Sequence, residues 1–161
     1  MSQDLKRLAD PFDLHDLRWK PIGMSEDRKK ARVAPFISNR AIMDRLDAAC
    51  GPENWRNEYR EGPAGGVLCG IGIRVARDGA PAEWVTKWDG AENTEIQPVK
   101  GGLSASMRRC AVQWGIGRYL YRMPVIWAPV DEKGRMTARP EVPKEFHPVT
   151  VRPIETGKEA A

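Results

Sequence analysis

Trp55 to Trp88, WRNEYREGPAGGVLCGIGIRVARDGAPAEWVTKW, decides the fold. Trp55, Asn57 and Tyr59 alternate with Arg56, Glu58 and Arg60 before a turn-forming stretch at Pro63, Ala64, Gly65 and Gly66. That is the pattern of a half-exposed strand closed by a turn. In the next run Val67, Cys69, Ile71, Ile73 and Val75 share one face, while Gly70 and Gly72 leave the other face bare enough for close packing. Asp78-Gly79 marks a turn, and Trp84, Thr86 and Trp88 then alternate with Val85 and Lys87. The three runs predict an antiparallel β-meander with Val67–Val75 at its centre.

Working outward, the run from Asn39 to Cys50 reads as a helix: Ser38 caps it, Gly51 supplies a left-handed stop and Pro52 prevents continuation. Its stripe is Ile42, Leu46, Ala49 and Cys50, with Arg40, Asp44 and Arg45 read as flanking, solvated positions. Downstream of the meander, a polar loop from Asp89 to Gln97 leads to a second helix, from about Gly102 to Trp114. Its stripe, Leu103, Met107, Cys110, Ala111 and Trp114, faces the sheet and leaves Arg108 and Arg109 outside. Gly115 and Gly117 end it. A strand near Leu17, Trp19 and Ile22 and a last one at Val125–Trp127, ahead of a turn at Asp131–Gly134, complete the reading. The fold class is α+β, an antiparallel meander packed on a long helix. Residues 1–16 read as an N-terminal arm, 17–137 as the domain, and 138–161 as a Pro-rich extended tail.

Composition bounds the function. The 161 residues suit one domain, and 41% hydrophobic with 30% charged residues is ordinary for a globular chain. No apolar run approaches the roughly 18 residues of a membrane span, and the charged start does not resemble a signal peptide, so a cytoplasmic protein without membrane partners is expected. Cys50, Cys69 and Cys110 are odd in number and set among apolar neighbours, which predicts buried reduced thiols. His15 and His147 have no partner at ligand spacing, so neither a metal nor a cofactor is expected. The net charge of +4 says little, but its distribution is telling: Ile96 to Val130 contains no Asp or Glu, yet holds Lys100, Arg108, Arg109, Arg118 and Arg122. A polyanion partner fits that segment. A second basic cluster, Arg28, Lys29, Lys30 and Arg32, reads as a loop, with a solvated face and a binding role equally open.

The chemistry concentrates in VKGGLSASMRRCAVQWGIGRYLY, Val99 to Tyr121. Free backbone N–H groups at a helix start attract anions, Gly101-Gly102 would admit a phosphate, and Lys100 stands at the mouth. Arg108 and Arg109 lie on the outward side and Arg118 just beyond; arginines bind phosphate oxygens in a forked geometry. The competing account is that the glycines only turn the chain and the arginines are solvated or meet acidic groups in an oligomer.

ENTEIQPVKGGLSASMRRCAVQWGIGRYLY (Glu92–Tyr121) closely resembles the corresponding segment of bacterial and phage members of the Rad-fifty-two family of single-strand annealing proteins, the DdrA-like ones among them. PFISNRAIMDRLDAACGPENW (Pro35–Trp55) matches in the right order; with Pro124–Gly134 the resemblance covers Leu17 to Arg135. It implies subunits assembled into rings, with single-stranded DNA running in a basic groove that grips the backbone and leaves the bases outward. The paired basic residues of the family's phosphate-contacting helix match Arg108 and Arg109, and a further basic position matches Arg40. The implied activity is annealing of complementary strands in homologous recombination and double-strand break repair, with no cofactor. Single-stranded DNA, further copies of the chain and a host or phage single-strand binding protein are the implied partners. The large C-terminal region of the longer eukaryotic members has no counterpart here, so its binding functions are not carried over.

Annealing explains why phosphates would be gripped. Two strands must pair through their base edges, so a protein that buried those edges would oppose its own product. Neutralising phosphates also lessens repulsion between approaching strands, and an oligomer lines up many short sites. No nucleotide hydrolysis is needed, and no GxxxxGK[ST] run is present. Two rivals stand beside this reading: a metal-dependent nuclease using Asp89, Glu92 and Glu95 or the Asp131-Glu132-Lys133 triplet, and a sequence-specific duplex binder. The six tryptophans are assigned mostly to core or subunit contacts.

Overall fold

The computed structural model describes residues 4–77, 80–92 and 98–149. Among these residues six strands form two three-stranded antiparallel sheets, accompanied by two α-helices. The first sheet joins β1 (Leu17–Met24), β2 (Lys30–Ile37) and β6 (Ile126–Pro129) in the order β1-β2-β6. The second is the expected meander of β3 (Trp55–Glu61), β4 (Val67–Arg77) and β5 (Ala80–Ala91), with β4 central. The Asp78-Gly79 turn lies outside the described residues.

The meander obeys its alternation. Cys69, Ile71 and Ile73 are fully buried on the inner face, where β3 sets Tyr59, Asn57 and Trp55 opposite them and β5 sets Asp89, Lys87 and Val85. Trp84 and Trp88 therefore lie on the outer face with Gly70 and Gly72. The Trp88 indole rests so closely on Gly70 that a Cβ there would sit 2.7 Å from the ring. Arg60 covers Trp88 at 4.3 Å and Arg56 covers Trp84 at 4.5 Å. Trp84 and Trp127 are exposed, so these two are not core residues.

Against the inner face pack α1 (Asn39–Cys50) and α2 (Pro98–Gln113). The bounds of α1 and its buried stripe, Ile42, Leu46, Ala49 and Cys50, are those expected, with Ser38 Oγ accepting from the Ala41 N–H at 3.3 Å and Gly51 at φ 87°. α2 buries Met107, Cys110 and Ala111 and presses Trp114 on the core; Cys110 Sγ accepts from the Ile71 N–H and the Trp114 indole N–H donates to the Ile71 carbonyl at 2.9 Å. All three cysteines are buried and free. The helix begins four residues earlier than expected because Pro98, with its fixed φ and no N–H to leave unpaired, suits a first helical position. Gly101 and Gly102 thus belong to its first turns and are not an open mouth.

Two expectations for the flanks are corrected. The cluster Arg28 to Arg32 is no simple loop: Arg28 and Lys29 turn the chain, and Lys30 and Arg32 belong to β2. Arg45 is not merely solvated; its guanidinium donates to the carbonyls of Arg7, Asp10 and Pro11 and lies 4.0 Å over Phe12. That clamp brings Leu8 and Phe12 into the main core, so residues 4–16 pack as part of the body. At the other end, residues 138–149 hold no α-helix or strand, yet Val142 and Phe146 rest on the core and the Arg139 guanidinium donates to the Leu14 carbonyl.

Candidate nucleic-acid interface

Between β2, α2 and the turn that follows it runs a groove of about 660 Å³, lined by Arg32, Phe36, Arg108, Arg109, Tyr121 and Val125 among others. Among the described residues no Asp or Glu lines it. Its floor is apolar and its charges are all guanidinium.

Each cation is placed by a different device. Arg108 leaves the buried stripe of α2 toward β2, where its guanidinium stands 5.6 Å over the Phe36 ring. It is half-buried, and desolvation pulls its pKa below the usual arginine value, though a guanidinium remains charged throughout the neutral range. No carboxylate pairs with it among the described residues. A half-buried cation with no counter-ion among the described residues carries an uncompensated desolvation cost, which favours its taking an anion. Arg109, one residue on, also lines the groove but is tied to β5: its Nε donates to Asp89 Oδ1 at 3.1 Å. Arg32 lies on β2 opposite Trp127 of β6 and Gly23 of β1, where the missing glycine side chain leaves room for the guanidinium.

The other expected site residues divide. Arg40 is exposed in the first turn of α1 and does not line the groove. Arg118 also stays outside it: Nε and Nη2 donate to the carbonyls of Val112 and Gln113, closing the C-terminal end of α2. Its role in this structure is a helix cap, for which a cation is suited by the helix dipole. Lys100 falls in the first turn of α2, and its side chain lies outside the described residues. Arg32 was missed as a site residue. The alternation of Lys30 and Arg32 with buried Ala31 and Val33 was the available signal, and it marks a strand with a basic outer face.

Of the carboxylates considered for a metal, Asp89 and Asp131 are engaged elsewhere. Asp89 accepts from Arg109, from the Gly90 N–H at 2.7 Å and from Gln113 Nε2 at 3.4 Å. Asp131 accepts from the N–H groups of Lys133 and Arg135 and pairs with the Arg135 guanidinium; Glu95 lies outside the described residues. Among those residues the one grouping of metal-ligating side chains is the surface set Asp13, His15 and Asp16, away from the groove.

The class is set by the architecture: an α+β domain whose antiparallel meander packs on one long helix beside a basic groove. The chain belongs to the Rad52/22 family of double-strand break repair proteins, whose model matches residues 2–137. It is 36% identical over 151 residues to the single-stranded DNA-binding protein DdrA of Deinococcus radiodurans, a match covering 92% of this chain and 69% of that one. The DdrA of Deinococcus deserti is also 36% identical, over 92% of this chain and 72% of its own length. No solved structure matches the chain.

Proposed function

We propose that this protein binds single-stranded DNA by its phosphates along the β2–α2 groove and anneals complementary strands during double-strand break repair. The observation that carries the reading is Arg108, half-buried and uncompensated by any carboxylate among the described residues, in a groove where Arg32 and Arg109 add charge and no described Asp or Glu is among the lining residues. The 36% identical DdrA proteins, named as single-stranded DNA-binding, support the choice of polyanion. Binding and charge neutralisation suffice for annealing, so the chain acts without a catalytic step and without a metal or cofactor.

Self-association belongs to the same reading. Met24 on β1 and Trp127 on β6 expose apolar surface outside the groove that a second copy would cover, and repeating the groove around a ring would hold one strand at many points. Such a protein works in the cytoplasm beside a single-strand binding protein that supplies its substrate. Among the described residues no helix is long and apolar enough to cross a membrane.

The test is a salt series of fluorescence anisotropy with labelled oligo-dT, set beside an annealing assay and light scattering. The reading requires a preference for single strands, weakening with salt, little sequence preference, and a mass above the monomer. Salt-insensitive binding, a strong preference for one duplex sequence, or magnesium-dependent cleavage of the DNA would overturn it.

A further inference from the structure

The geometry points to Asp89 as a positioning residue that holds the Arg109 guanidinium ready for a phosphate; this rests on the groove reading above. Asp89 stands at the inner edge of β5, opposite Cys69 of β4, where alternation would favour an apolar side chain facing α2. It is instead a carboxylate fixed at both oxygens. Oδ1 accepts from its neighbour Gly90 N–H at 2.7 Å and Oδ2 from Gln113 Nε2 at 3.4 Å. Desolvation works against the charged form, but the hydrogen bonds from Gly90, Gln113 and Arg109 outweigh it and hold the Asp89 carboxyl below the usual range. Its side chain is 21% exposed against 57% for that of Arg109, so the anchored partner is the acid and the mobile one the base.

The contact is made through Nε alone. A guanidinium carries five N–H donors in a planar fork, and engaging Nε fixes the plane while leaving the two terminal nitrogens, which have no partner among the described residues, for a phosphate. An exposed arginine otherwise spends most of its time in other rotamers, and that freedom must be given up on binding. A carboxylate that satisfied both terminal nitrogens would block the site. This one orients it.

Asp89→Ala and Asp89→Asn separate orientation from charge, because both remove the negative charge and only asparagine retains an oxygen that can accept from Nε and from the Gly90 N–H. Oligo-dT binding is measured for each, alone and combined with Arg109→Ala, at about 0.15 M salt, where screening suppresses longer-range effects. Asp89→Asn is expected to bind about threefold tighter than Asp89→Ala, the net size of one retained hydrogen bond, and the difference should vanish when Arg109 is alanine. Equal affinities for the two variants would overturn the inference. So would a difference that persists without Arg109, since that would mark a structural role for the Asp89 side chain in β5. Arg108→Ala, which leaves Asp89 and Arg109 untouched, is the control on the reading beneath: if it binds like wild type, the groove itself is wrong, whereas weakened binding with identical Asp89 variants removes only the positioning role.

Discussion

The two sheets are built differently. The β3–β4–β5 meander is contiguous in sequence, lays Cys69, Ile71 and Ile73 wholly against the helices, and covers Gly70 on its outer face with a tryptophan. The β1–β2–β6 sheet brings residues 30–33 against 126–129, has a small buried cluster of Ala31, Val33 and Ala128, and leaves Ile22, Met24 and Trp127 exposed. The meander supplies the centre of the core, to which the other sheet adds Leu17 and Ile37 while bordering the groove. Stability and binding should therefore be separable, the first residing in the meander and the second along β2 and the far side of α2.

The sharpest way to break that division is a pair of truncations. Ile71→Ala should destabilise the fold by about 3 kcal/mol, from lost transfer energy and the cavity left behind, while the molecules that remain folded bind oligo-dT as before. Val33→Ala, in the small cluster and on the groove wall, should cost only about 1 kcal/mol yet weaken binding. Urea unfolding with binding measured per folded molecule checks both, and a binding loss that tracks instability in both variants would erase the contrast.

Next in size, Gly70→Ala would push its methyl group into the Trp88 ring and should cost about 1 kcal/mol in the same denaturation experiment, without altering DNA affinity. The Arg108→Ala, Arg109→Ala double variant should do the reverse: an unfolding midpoint lowered only slightly, by loss of the exposed Arg109–Asp89 pair, with the logarithmic salt slope for single-strand binding flattened by about 1.4 at about 0.7 per phosphate. Circular dichroism and solution mass on the same sample guard against a disturbed interface between copies.

The smallest effect is in acid. Because the folded pKa of Asp89 lies below its ordinary value of 3.8, its contribution to stability is fully present above that value and is lost as the pH falls through the lowered one. Asp89→Asn should therefore lose stability less steeply than wild type as the pH falls below about 4, measured by thermal melts, and match it in slope near neutrality.

What could be read from the sequence follows from how local patterns encode burial. The stripe of α1 and the alternation of β3, β4 and β5 repeat at intervals of four and two residues, and each specifies a buried face without reference to a distant partner. The same arithmetic set Arg108 and Arg109 outside the core of α2. β2 was harder to see because Pro35 interrupts it. That proline is tolerated since β6 pairs only with residues 30–33, leaving the position bonded on one side.

The roles of the charged side chains were decided by tertiary structure alone. Arg45, Arg108, Arg109 and Arg118 look alike as letters, yet one clamps the N-terminal segment, one lies over Phe36, one is held by Asp89, and one closes a helix end. A guanidinium takes its function from whatever oxygen or ring the fold brings within reach. For Arg109 and Asp89 that neighbour is 20 residues away, and for Arg45 and Asp10 it is 35. Periodicity says which way such a side chain leaves its own element, and only the packing of the elements says what it meets.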